Sequence, residues 1–167
     1  MNTYRLMKML TACALLALLA ALFVPAQRVQ AAPPTPDHAN LELLLQRERL
    51  ALENQQKRLV LANQTIEQTQ AFIDKQIAAG KDPSSVQTAL DAFRQAVTQT
   101  QGYTDTAAGL LAAPVGFDAN GKVTDAQQAR QTVREAGQAL RQGHLALTAA
   151  TIELRKAINA YAQSLKK

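Results

Sequence analysis

One cysteine, no tryptophan and an aromatic content of 4% narrow what this chain can do before any motif is sought. Cys13 sits inside an N-terminal apolar run, so the sequence beyond that run has no disulfide, no thiolate nucleophile and no cysteine-held metal. The aromatics beyond it are Phe72, Phe93, Tyr103, Phe117 and Tyr161. None is interleaved with a Lys/Arg block, and nucleic-acid binding, which needs a basic face and usually stacking platforms, is not expected.

Catalytic constellations are missing as well. There is no Gly-x-Ser-x-Gly turn and no glycine loop to cradle phosphate. His38 and His144 are the only histidines, and neither has a metal-ligating neighbour in sequence. Glu42, Glu48, Glu53 and Glu67 are spaced without a Glu-x-x-His partner and read as surface charge. The sequence therefore predicts a protein that is not an enzyme and carries no cofactor.

Long hydrophobic runs are confined to the first 31 residues. Arg5 and Lys8 precede an apolar stretch from Met9 to Val24, Pro25 breaks it, and Val29-Gln30-Ala31 has the small residues that signal peptidase requires. A run this short falls below the roughly 20 residues of a membrane span. The expectation is a cleaved secretory signal at 1–31 and an exported protein, periplasmic, envelope-bound or extracellular, with no stable span after processing. Arg5, Lys8 and Arg28 are three of the 18 basic residues. Processing leaves 15 against 13 acidic side chains, a charge of about +2.

What remains is rich in Ala, Gln and Leu at helical spacing. Residues 32–38 hold the stiff segment Ala-Pro-Pro-Thr-Pro and read as a tail. Residues 39–167 then predict an all-α domain: an elongated, antiparallel three-helix bundle with coiled-coil-like packing and helices near 39–79, 83–112 and 125–165. Asp37 or Asn40 caps the first, and no Gly or Pro interrupts it before Gly80. Asp82-Pro83 starts the second. Thr124-Asp125-Ala126-Gln127 has the spacing of a capping box with Thr124 as the cap of the third.

The seams are explicit. Helix 1 repeats Leu45, Leu52, Leu59, Ile66 and Ile73 every seven residues, with Leu41 and Ile77 on the same side. Helix 2 alternates steps of four and three through Val86, Leu90, Phe93, Val97, Thr100, Thr104, Ala107 and Leu111. Helix 3 carries a large row, Val133, Leu140, Leu147, Leu154 and Tyr161. Beside it runs a small row, Ala129, Ala136, Gly143, Ala150, Ala157 and Ser164, which lets a neighbour approach closely. Gly102 and Gly109 each cost about 1 kcal/mol in a helix interior, so bending or fraying is expected late in helix 2.

Two features are candidates for binding. The stretch GFDANGKVT, 116–124, resembles the centre of a calcium loop through Asp118, Asn120 and Gly121, with Asp118 and Asn120 the weak metal candidates. With Gly121 at the sixth position, Gly116 stands at position one and Gln127 at twelve, where calcium needs oxygen ligands and a bidentate Glu. A tight Asn120-Gly121 turn between Pro114 and a capped helix, with Phe117 and Val123 folded over the bundle end, is the better reading. The second feature is an apolar row almost opposite the helix 1 seam: Leu43, Leu50, Leu61 and Phe72. It is the expected contact surface for a protein partner, through self-association or chaperone-like client binding. Isolated apolar residues on a long helix are the plainer alternative. A structural spacer associated with the envelope and an ion-responsive module built on 116–124 are the competing functions.

Overall fold

The computed structural model describes residues 38–165 as an all-α three-helix bundle: α1, His38–Ala78; α2, Ser84–Ala112; and α3, Ala126–Ser164. Each boundary falls within one residue of its expected place. His38, assigned to the tail by sequence, instead opens α1. The leader, its cleavage after Ala31 and a cap by Asp37 lie outside the described residues.

Both helix connections are closed by local hydrogen bonds. At the end of α1 the Gly80 amide donates to Ile77 O and the Lys81 amide to Gln76 O, the paired bonds of a Schellman motif. Asp82 then accepts the Ser84 amide at 3.0 Å, and this bond to the first turn of α2 holds the Asp82 carboxyl below its usual range.

Chain contacts divide the protein into two units. The turn-end unit takes 58–98 and the chain from Ala146 onward. Its core joins Leu59, Ala62 and Ile73 of α1 with Val86, Leu90, Phe93 and Val97 of α2 and Leu147, Leu154, Ile158 and Tyr161 of α3. The loop-end unit takes described residues up to Lys57 and Gln99–Leu145. There Leu41 and Leu45 meet Leu111, Ala129, Val133 and Ala136, and a further cluster is built from Ala107, Ala139 and Leu140. All eight residues of the α2 seam are buried. Threonines in these seams satisfy their hydroxyls locally: Thr104 donates to Thr100 O, Thr151 to Leu147 O and Thr65 to Leu61 O.

Three local expectations change. The cap of α3 is Asp125, whose carboxylate accepts the Gln127 and Gln128 amides at 2.8 and 3.0 Å. Thr124 does not take that role because the first intrahelical bond, donated by the Ala129 amide, ends on Asp125 O, which places the helix start one residue on. Second, α2 runs unbroken through Gly102 and Gly109, because the adjacent seam residues Thr104, Ala107 and Leu111 are buried. Packing of that face outweighs the glycine propensity cost. Third, Ile77 is exposed and does not continue the α1 seam.

Candidate protein-binding site

The loop-end unit carries the features with chemical interest. After α2, Gly116 takes a φ of +87° and lies directly against the first turn of α3. Its carbonyl accepts the Thr124 and Asp125 amides at 2.9 and 3.2 Å. Phe117 and Val123 form an antiparallel bridge, and both pack on the core of this unit as the sequence predicted. Between them Asp118 Oδ1 accepts the Asn120 and Lys122 amides, each at 2.8 Å, while Asp118 O accepts the Gly121 amide. The carboxylate thus organises a tight turn, with Gly121 at φ +77°.

Two backbone amides thus engage Asp118 Oδ1. Asn120 is exposed, and among the described residues no group of three or more His, Cys, Asp or Glu side chains is placed to hold a metal ion. The nearest charges instead form a tie to α1. Lys122 Nζ donates to Glu42 Oε2 at 2.7 Å, and the Val123 amide points at Glu42 Oε1 at 3.4 Å. The hydrogen bond from Lys122 holds the Glu42 carboxyl below its ordinary range, and Glu42 in turn raises the Lys122 ammonium. Thr132 of α3 fastens the loop from the other side by donating to Val115 O at 2.8 Å.

The predicted apolar row on α1 divides. Leu43 and Leu50 are 64% and 58% exposed, one heptad apart. Leu61 and Phe72 are half-buried against the core of the turn-end unit, and the Phe72 ring meets Tyr161 edge-on with centroids 5.9 Å apart. For Phe72 the cause is rotational drift. A seam repeating every seven residues moves about 20° per heptad around a 3.6-residue helix. Between Leu43 and Phe72, about four heptads, that sum brings an initially opposite position to the flank of the seam.

Sequence reasoning missed the neighbouring groove. Leu41, Leu44, Arg47 and Glu48 of α1 and Arg130, Val133 and Arg134 of α3 line an open depression of about 250 Å³. Glu48 is not the surface charge it was read as: it is buried at 7% exposure. Its Oε1 accepts Arg47 Nε at 3.2 Å and Nη2 at 2.8 Å. On its other side the carboxylate rests against Gly137, where a methyl group would sit 3.3 Å from Oε2. The signal was present in the spacing, since Glu48 stands three residues after Leu45 and four before Leu52, on the partner row of the α1 seam. One heptad later Gln55 is also buried, against Gly143, and its Nε2 has no hydrogen-bond partner.

Among the described residues, no helix is long and apolar enough to cross a membrane. No family model, no curated protein and no solved structure matches this chain.

Proposed function

We propose that this chain is an exported, non-enzymatic helical bundle that binds protein through the apolar face opened on α1 by Leu43 and Leu50. The observation carrying this reading is that two leucines one turn-pair apart on the same side of a helix are more than half exposed. Burying a leucine contributes about 1.5–3 kcal/mol, so leaving both in water forgoes energy that a partner surface recovers. Arg47, between them and also exposed, gives the apolar face a charged border of the kind found at interface rims.

The test replaces Leu43 and Leu50 with Gln, a good helix former. Both positions lie off the core, so helicity and melting temperature stay close to those of the wild type. Sedimentation reports self-association, and suppression of aggregation of an unfolded client reports client binding. Affinity in whichever assay is positive falls by more than about tenfold. Absence of both activities in the wild type, or their survival in the folded double variant, overturns the reading.

A further inference from the structure

We propose that the groove between α1 and α3 in the loop-end unit receives an acidic segment of another protein, in which two carboxylates flank an aliphatic side chain. This inference rests on the protein-binding reading and names the chemistry of the partner.

The charge balance of the groove carries the argument. It is lined by three guanidinium groups, Arg47, Arg130 and Arg134, and one carboxylate, Glu48. Arg47 and Glu48 neutralise one another through two hydrogen bonds onto a single oxygen. Arg130 and Arg134 are exposed and make no hydrogen bond or ion pair among the described residues. The groove therefore presents two unbalanced positive charges, and two incoming carboxylates match them.

Spacing sets the form of the ligand. Arg130 and Arg134 stand four residues apart on α3, where Cβ atoms are separated by about 5–6 Å. Alternate residues of an extended chain project to one side at about 6.6 Å, so carboxylates at positions i and i+2 reach both guanidiniums. Leu41 and Leu44 line the α1 side of the groove, across from the two arginines of α3, and the aliphatic residue at i+1, which projects to the opposite side of an extended segment, meets them there. Guanidinium favours this partner because its planar donors pair with carboxylates bidentately. Arg47 borders both the groove and the exposed Leu43–Leu50 face, so one segment can engage the two together.

The experiment measures fluorescence polarisation of a labelled, capped peptide carrying Glu-Leu-Glu in a short neutral sequence, beside a twin with Gln at both Glu positions. The wild-type protein binds the acidic peptide and binds the neutral twin at least tenfold more weakly. Arg130→Gln and Arg134→Gln each weaken binding roughly tenfold, and both variants fold because the side chains are exposed. Raising salt from about 0.1 M to about 1 M, which shortens the Debye length from about 10 to about 3 Å, weakens it further. Equal binding of the two peptides, unaltered binding by both arginine variants, or no binding of the acidic peptide to wild type overturns the inference. The parent reading is judged separately by the Leu43→Gln/Leu50→Gln variant, which leaves both arginines in place. Loss of protein binding in that variant, with no acidic-peptide binding by wild type, sinks the groove and keeps the apolar face. Peptide binding without protein association of any kind keeps the groove and sinks the apolar face.

Discussion

Gly116 and Gly121 offer a controlled test of what the loop contributes, because the two share one backbone constraint and differ in surroundings. Both have φ near +80°, at +87° and +77°, where an L-residue costs about 1–2 kcal/mol. Replacing either with Ala also removes unfolded-state freedom, which returns about 0.4–1 kcal/mol. At Gly121 a new methyl group meets Leu45 Cδ2 at 3.6 Å and Arg49 Nη1 at 4.0 Å, ordinary contacts, so the net cost of Gly121→Ala is about 1 kcal/mol. At Gly116 the methyl would lie 2.7 Å from Asp125 O and 2.8 Å from Ala129 Cα, and closer still to the Ala129 amide. These are backbone atoms of the α3 cap and first turn, which cannot rotate aside. Overpacking of this kind adds about 1–3 kcal/mol, and the Gly116→Ala total is about 2–4 kcal/mol. The pair is read by urea denaturation followed by circular dichroism and by thermal melts, in which a domain of this size shifts by roughly 3–6 °C per kcal/mol. Equal destabilisation in the two variants would refute the reasoning, because it would leave only the shared backbone term and place Gly116 out of contact with α3.

Other outcomes follow from single side chains. Leu147→Ala, in the buried turn-end core, costs about 2–5 kcal/mol by denaturant titration, and a value near zero would remove it from the core. Gln55→Met exchanges an amide with an unpartnered buried Nε2 for an apolar chain of similar length. It raises stability by about 1–3 kcal/mol, whereas a lower melting temperature would show that the amide is satisfied in the folded protein. The Glu42–Lys122 tie makes stability depend on pH in a defined direction. Because the folded Glu42 pKa is depressed, its contribution is complete above the ordinary carboxylate range and is lost as pH falls through the lower folded value. Glu42→Gln therefore flattens the acid limb of melting temperature against pH, and an unchanged limb would show that the tie carries no stability.

Most of the fold was legible because its determinants are local or strictly periodic. Steps of four and three from Val86 to Leu111 identify a buried stripe whatever lies opposite, and the structure buries every member of it. Asp82-Pro83 and Gly80 mark helix ends through their own backbone chemistry. The turn at 118–121 was readable for the same reason, since Asp118, Asn120 and Gly121 close it with bonds among themselves and Lys122.

The sequence by itself determined the helices, their ends, the main seams and the absence of thiol chemistry beyond Cys13, because these depend on each residue's own identity, its conformational preference and its neighbours within two turns. Tertiary structure decided which of the polar and apolar residues outside the main seams are buried. Glu48 lies against Gly137 of α3, whose missing side chain leaves it room, and Gln55 lies against Gly143 in the same way. Phe72 leaves the surface that Leu43 and Leu50 keep because drift accumulated along α1 brings it to the flank of the seam, next to Ile73, where it packs on the core. The arginine groove assembles from residues more than eighty positions apart in the chain. No local preference encodes such a meeting; it arises when α1 and α3 pack side by side.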